Sequence, residues 1–366
     1  MEEKEIDTQC PNCGSQLKYH TKRKNLKCVS CSSEFNIESF GKGKLDEEEL
    51  DYNEMLEKLK NTKLEKSLVE SLHCENCGAI LNCDSTTTST ICPFCGSSHI
   101  IKKNLEEEVI PISGIIPFVI NKRECQEQFH KWIKGKAFAP NHFKNSKFDL
   151  DLFPIYLPYW TFDMNCHTTY EAKRGDHYYV NVTKHDMHGN LVSERERRTR
   201  WSFRSGTCRN VFDDVLVFGG KENEHNYYIK KVSNFHFSQM EKFNPKFLVG
   251  YLGEKISLPL PEGFKKAKQQ VQYKIENEIR SNVGGDEVVI LHYDTAYNNV
   301  TFKQVLAPIY NGIYSYNSKQ YKFVMNGQTA KFSGGYPISG VKVFMLVIAI
   351  IISVIFIILF VLSFAQ

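Results

Sequence analysis

Apolar positions in this 366-residue chain follow several distinct rhythms. In IPFVINKRECQEQFHKWIKG (116–135), Cys125, Phe129, Trp132 and Ile133 recur at helical spacing, Asn121 and Glu124 have the offset of a capping box, and Gly135 supplies a stop. PLPEGFKKAKQQVQYKIENEIRSNVGG (259–285) repeats the pattern with Phe264, Ala267, Val271, Ile275 and Ile279, and Gly284 lies past the end. Between and after these helices the period changes to two. HYYVNV (177–182), EVVILHYD (287–294), VTFKQVLAPIY (300–310), GIYSYN (312–317), KQYKFVMN (319–326) and TAKFSG (329–334) read as separate strands, with turns at HGN (188–190), NSK (317–319) and NGQ (326–328). FPIYLPYWTFD (153–163) brackets Tyr156 with two prolines and reads as an edge or entry segment. Residues 109–338 are therefore expected to form an α+β domain dominated by antiparallel sheet, with about two helices.

Two other stretches differ. Residues 39–72 are rich in charge, yet Leu56, Leu59, Leu64, Leu68 and Leu72 give a partial helical stripe, which predicts a helical, acidic, solvated linker. From Val343 to Ala365 no residue is charged and most are Ile, Val, Leu or Phe. Such a run makes a helix of roughly 34 Å, enough to cross a hydrocarbon core of about 30 Å. It predicts a transmembrane helix over 341–365. The N-terminus lacks an apolar signal region, so a tail-anchored, single-pass cell-membrane protein is expected. Lys319, Lys322, Lys331 and Lys342 precede the span and place the preceding domains on the cytoplasmic side.

Cysteine spacing adds chemistry. Cys10-x-x-Cys13 is followed after 14 residues by Cys28-x-x-Cys31, and Cys74-x-x-Cys77 after another 14 by Cys92-x-x-Cys95. The blocks form an internal repeat in which Gly14 matches Gly78 and Leu17 matches Leu81. Four thiolates suit tetrahedral Zn²⁺, two intervening residues let one turn aim both sulfurs at one ion, and glycine after the second cysteine permits positive φ. Two zinc ribbons, over 8–38 and 73–102, with one structural Zn²⁺ each are expected. The remaining thiols, Cys83, Cys125, Cys166 and Cys208, show no disulfide scheme and suit a reducing compartment. The whole reads as α+β: two N-terminal zinc ribbons, a helical linker, an antiparallel-sheet-rich domain and one C-terminal transmembrane helix.

A net charge of +4 is too small to argue for nucleic acid. The first ribbon nevertheless carries Lys18, Lys22, Arg23, Lys24 and Lys27 without an intervening acid, whereas the second has neither Lys nor Arg between Cys74 and Cys95. The basic tip is a candidate contact for an anion or partner, such as lipid headgroups, and equally reads as a solvated charge run. A tandem nucleic-acid reader would be basic on both ribbons.

Catalytic signatures are missing from the sequence: there is no phosphate-loop motif, no H-E-x-x-H and no G-x-S-x-G. His185 and His188 read as exposed histidines on a hairpin tip, Asp213 and Asp214 as adjacent residues facing opposite sides of a strand, and Arg197, Arg198, Arg200 and Trp201 as an exposed strand face. No enzyme is expected.

The tandem ribbon, YLPYW at Tyr156–Trp160, RTRW at Arg198–Trp201, FDDVLV at Phe212–Val217 and NGQTAK at Asn326–Lys331 resemble a bacterial family labelled TFIIB-type zinc-ribbon-containing proteins, some of whose members are labelled primosomal protein N′-like or replisome organisers. Members are often encoded beside membrane-stress proteins of the phage-shock and flotillin-like kinds. The resemblance thus implies a membrane scaffold that recruits such cytosolic or membrane-associated proteins. Ala330 stands where the family has Gly. The expected function is recruitment of protein partners to the membrane, and the alternative is a membrane-tethered, replication-related nucleic-acid-binding factor.

Overall fold

A computed structural model describes residues 9–37, 49–61, 66–82, 91–108, 110–146, 148, 150–185, 190–222 and 226–364. The first cysteine block forms a small antiparallel sheet of β1 (Leu17–His20), β2 (Asn25–Cys28) and β3 (Glu34–Asn36). A short β4 (Leu50–Asp51) leads into α1 (Tyr52–Lys60), whose first turn is capped by the Asp51 side chain. The second block is built on β5 (Lys66–Cys74), flanked by β6 (Ile80–Asn82) and β7 (Ile100–Glu108).

The helix expected over 39–72 is strand from Lys66 onward. A leucine spacing of four, Leu68 to Leu72, is even and therefore fits a strand face as well as a helix face. Pairing along the full length of β7 decides the matter. Nor is α1 a solvated spacer. Tyr52 and Met55 are buried, with the Tyr52 ring 4.5 Å from Phe264 and 6.4 Å from Phe162. Leu64 and Cys83 lie outside the described residues, as does His188.

The body is a nine-stranded sheet among the described residues. It includes β4 and the short β8 (Gly114–Ile115), which is followed by α2 (Lys122–Lys134) and α3 (Asn141–Asn145), and its long members are β9 (Asp151–His185), β10 (Leu191–Phe218) and β13 (Glu287–Tyr316). Between them come α4 (Asn226–Val232), β11 (Glu241–Lys242), β12 (Leu252–Gly253) and α5 (Leu260–Val283). β14 (Lys319–Asn326) and β15 (Phe332–Gly334) complete the order β10-β9-β13-β14-β15, and α6 (Gly340–Phe364) is the last described element. The α2 capping box and the buried stripes of α2 and α5 are as the spacing predicts, and Gly284 stops α5 at φ 63°.

The strands, however, are far longer than the alternation suggested. EVVILHYD, VTFKQVLAPIY and GIYSYN are one strand of 30 residues, β13. FPIYLPYWTFD and HYYVNV belong to one strand of 35, β9, about 110 Å of extended chain. Pro154 and Pro158 are accommodated because β10 begins to pair with β9 only at Tyr159, leaving the prolines one long partner, β13.

Alternation along β9 and β13 divides the core. Leu152, Tyr156, Leu306, Tyr310 and Tyr314 lie with α2, α3 and the first ribbon. Ile155, Leu157, Tyr159, Val305 and Ile309 lie with the second ribbon and α4. Further along, Phe162, Met164, Cys166 and Ala172 pack against α5 and α1. The sheet is thus covered on both faces near the ribbons. Beyond them α5 covers one face, and Trp201, Phe203, Val211, Val289 and Leu291 are exposed large apolar residues. We call this projecting part of β9, β10 and β13 the blade.

Candidate metal centres

In the first ribbon Cys10 Sγ lies 3.6 Å from Cys31 Sγ, and Cys13 Sγ 3.5 Å from Cys28 Sγ. In the second, the Cys74–Cys95 and Cys77–Cys92 pairs are each 3.6 Å apart. Within each cluster the four sulfurs lie within 4.8 Å of one another. These separations are far too long for disulfides, whose S–S bond is about 2.05 Å. They approach the roughly 3.8 Å edge of a tetrahedron whose metal–sulfur bonds are about 2.3 Å. Each cluster can hold a metal ion.

The local fold explains the convergence. The N–H groups of Gly14, Gly78 and Gly96 donate to the carbonyls of Cys10, Cys74 and Cys92, and all three glycines have φ between 69° and 75°. Ser32 takes the same place in the remaining turn at φ 60°. Electrostatics differ between thiols. Hydrogen bonds from Ser33 pull Cys31 down to about 6, and the bond from Cys92 pulls Cys77 down to about 5, while burial pushes Cys10 up to about 11. Each cluster thus has a thiol poised to ionise, the form a metal requires.

Both ribbons are docked on the body and do not reach away from it. Tyr19 is buried against Phe247 and Tyr251 at ring separations of 5.4 and 6.1 Å, and its N–H donates to Val249 O. In the second ribbon Phe94 is fully buried, Leu81 forms a bridge with Glu254, and Lys255 N–H donates to Ile80 O. The basic tip is engaged by the chain's own acids. Lys22 pairs with Glu124 at 2.7 Å, Lys24 with Glu241 at 3.0 Å, and Arg23 with Glu34. Lys27 stands opposite Glu34 in the β2–β3 register, and the Lys18 stem packs over Gly250.

A second constellation escaped the sequence. Asp213 and Asp214 do not face opposite sides of a regular strand. A bulge interrupts the β9–β10 register between Phe212 and Val215, and Asp214 has φ 50°. Asp163 fastens the bulge by accepting from Asp214 N–H at 2.6 Å, and the carboxylates of Asp163, Asp213 and Asp214 lie within 4.8 Å of one another. Lys303, with a side chain 5% exposed, reaches Glu49 at 2.8 Å and Asp214 at 3.9 Å. Burial, then a hydrogen bond to Glu49, pushes Asp163 up to about 7. Glu49 is held below its ordinary value against burial by hydrogen bonds to Asp163, Lys303 and Thr301. Asp163 therefore carries the shared proton, and Lys303 already occupies the cation position. No sequence signal joins these residues, because Asp163 and Asp214 meet only across the bulge.

Arg198 pairs with Glu196, and the Arg200 guanidinium sits 5.2 Å over the Tyr178 ring. Trp201 is 43% exposed on the open blade face, its ring resting where a Cβ on Gly175 would stand. At the other end α6 is long and apolar enough to cross a membrane, and every side chain from Val343 to Ser363 is exposed. Its base is fixed to the loop after α2. Lys342 Nζ donates to Ala137 O, Ala139 O and Asn141 Oδ1, and Ser339 N–H donates to Phe138 O.

The chain is 28% identical over 341 residues to a Bacillus subtilis (strain 168) protein named "Uncharacterized protein YdjG", covering 92% of each chain. No family profile matches the chain. No solved structure matches it. The likeness to the Bacillus protein runs along nearly the whole length, well beyond the two cysteine blocks.

Proposed function

We propose that this protein is a membrane-anchored zinc-ribbon scaffold that holds cytosolic protein partners at the membrane. The observation that carries this reading is the open face of the blade. Phe203 is 74% exposed and Val211 78%, with Trp201 and Val289 on the same side of the sheet. A face with this many large apolar side chains, left uncovered among the described residues, is the kind that protein partners cover. Zinc is the metal of both clusters on this view: all-sulfur, closed, four-ligand sites are structural, and folding each ribbon onto the body is their task. The nucleic-acid alternative is weakened by the ion pairs of Lys22, Arg23 and Lys24 with acids of the same chain.

The membrane side follows from charge near the base of α6. Between Gln128 and Phe148 the chain has Lys131, Lys134, Lys136, Lys144 and Lys147 and no acid. The loop that holds Lys342 belongs to this stretch, and on this reading its positive charge favours the anionic inner leaflet and a cytoplasmic body.

The test is affinity capture of full-length protein from detergent-solubilised membranes, comparing it with a Trp201→Ser, Phe203→Ser double variant and with a Cys74→Ser, Cys77→Ser variant. The blade variant is expected to lose specific partner proteins while still binding two zinc ions. Identical captured sets from all three proteins would overturn the scaffold reading.

A further inference from the structure

The first ribbon meets the body around a cavity of about 310 Å³, lined by the β1–β2 hairpin, the start of α2 and the segment just before β12. Tyr251, Tyr310 and Pro154 give it an apolar wall, and the Tyr251 ring is stacked on Phe118 at 4.6 Å. Its charged lining is Lys18, Lys22 and Lys122, and no Asp or Glu is among the residues that line it. The three lysines are not equivalent. Glu124, two residues beyond Lys122, already holds Lys22 at 2.7 Å and accepts from Asn121 N–H at 3.0 Å. Lys18 and Lys122 have no ion-pair partner among the described residues. Desolvation, then the Lys18 ammonium, pushes Lys122 below the ordinary lysine range, so these two cations are neighbours that repel. Gly250, at φ 83°, makes room for the Lys18 stem, since a Cβ there would stand 3.2 Å from Lys18 Cγ.

We propose that this cavity binds a small phosphate monoester, with its dianionic head between the Lys18 and Lys122 ammonium groups and its organic body against Tyr251 and Tyr310. Charge selects the head. Lys22 and Glu124 cancel, which leaves two uncompensated positive charges, and a phosphate monoester carries close to two negative ones at neutral pH. A dianion relieves the repulsion between the lysines and accepts charge-assisted hydrogen bonds from both, whereas a sulfate ester or a phosphate diester brings one charge. Size selects the body, because a cavity at the small end of the ligand-site range suits a single ring or a short chain. Position adds a consequence. Lys18 belongs to β1 of the first ribbon and Lys122 to α2 of the body, so a bound head ties the ribbon to the body. The same head occurs on soluble molecules and on phosphatidate in a bilayer. The 13 residues of α2, about 20 Å of helix, separate the cavity from the loop that holds α6, which favours the soluble source.

Calorimetric titration of the full-length protein in phosphatidylcholine nanodiscs tests this at neutral pH with two probes of nearly equal shape, phenyl phosphate and phenyl sulfate, empty discs giving the background. The phosphate is expected to bind about tenfold more tightly than the sulfate, or better. Lys18→Met, which keeps the stem over Gly250, and Lys122→Gln should each weaken phenyl phosphate by about fivefold or more. Lys265→Gln removes the same charge from an exposed position on α5 outside the cavity and should change the affinity by less than about twofold. All three variants are surface lysine replacements and are compared only where the melting profile matches the parent. Discs containing phosphatidate, set against discs of equal charge made with phosphatidylglycerol, separate the sources. Loss of phenyl phosphate binding in the phosphatidate discs alone supports the site with a lipid head as its ligand, and equal binding in both supports it with a soluble one. No measurable phosphate binding up to about 5 mM, equal binding of the two esters, affinity unaltered by Lys18→Met and Lys122→Gln, or an equal loss in Lys265→Gln would each overturn the proposal.

Discussion

Single residues carry the strain and the charge that sequence patterns do not display. Ala330 has φ 59° in the turn after β14, where its N–H donates to Asn326 O. A left-handed alanine costs about 1 kcal/mol that glycine does not incur. Ala330→Gly is therefore expected to raise the melting temperature by about 2–4 °C, read by thermal unfolding of the detergent-solubilised protein. An unchanged or lower melting temperature would mean that the turn is not strained. Asp163 supplies a pH-dependent counterpart. Its folded value lies near 7, above the ordinary carboxyl range, so the folded state keeps a proton that the unfolded chain releases. Its contribution is therefore largest at low pH and is lost as pH rises from about 4 to about 7. Glu49, held low, gives the opposite slope below about pH 5. Asp163→Asn keeps a donor toward Glu49 and an acceptor for Asp214 N–H without the titration. It should be close to neutral at pH 5 and should raise the melting temperature relative to wild type at pH 8. Lys303→Met, which leaves Glu49 and Asp214 without their buried cation, is expected to cost about 3 kcal/mol in denaturant unfolding.

Elements were legible wherever local signals stood alone. The capping residues Asn121 and Glu124 fixed the start of α2, and the Phe264–Ile279 stripe fixed the face of α5. The cysteine spacing likewise marked both metal clusters, because a C-x-x-C turn is local chemistry. The strands were not delimited in this way. Pro154 and Pro158 read as marks of an edge or entry segment, yet they sit where β9 has one long partner, and the gap left between the expected strands 287–294 and 300–310 holds Asn299, at φ 49°, in the bulge between Asn298 and Thr301 of β13. Bulges keep a strand running while imitating a turn in sequence. The same device hid the Asp163–Asp213–Asp214 cluster, which needs residues some fifty positions apart to be in register. The linker failed for another reason: the burial of α1 depends on the aromatic surface of α5. Tyr52→Ala measures that dependence. A solvated spacer would lose under about 0.5 kcal/mol, whereas removal of a ring buried against Phe264 should cost about 3 kcal/mol and open α1 to hydrogen exchange.

At the scale of the whole molecule, the metal clusters are joined to the sheet by packing, and this makes metal removal a test of architecture. Tandem ribbons on a free tether would melt by themselves when chelated, leaving the body unaffected. Here Tyr19 closes one face of the sheet against Phe247, and Phe94 and Leu81 lie in the core beneath the other with Tyr159, Val305 and Ile309. A ribbon is too small to keep its core without its ion, so loss of metal withdraws these side chains from the body as well. Chelation of the full-length protein should lower the melting temperature of the blade and α5, followed by hydrogen exchange at β9 and β13, by roughly 5 °C or more. The two clusters are distinguishable. Cys13→Ser should raise exchange chiefly around Tyr156 and Tyr310, and Cys77→Ser around Tyr159 and Ile309, because the two ribbons lie against opposite faces of the same strands. Exchange confined to the ribbons in both variants would show the clusters to be independent modules and would return the molecule to the tethered arrangement that its sequence suggested.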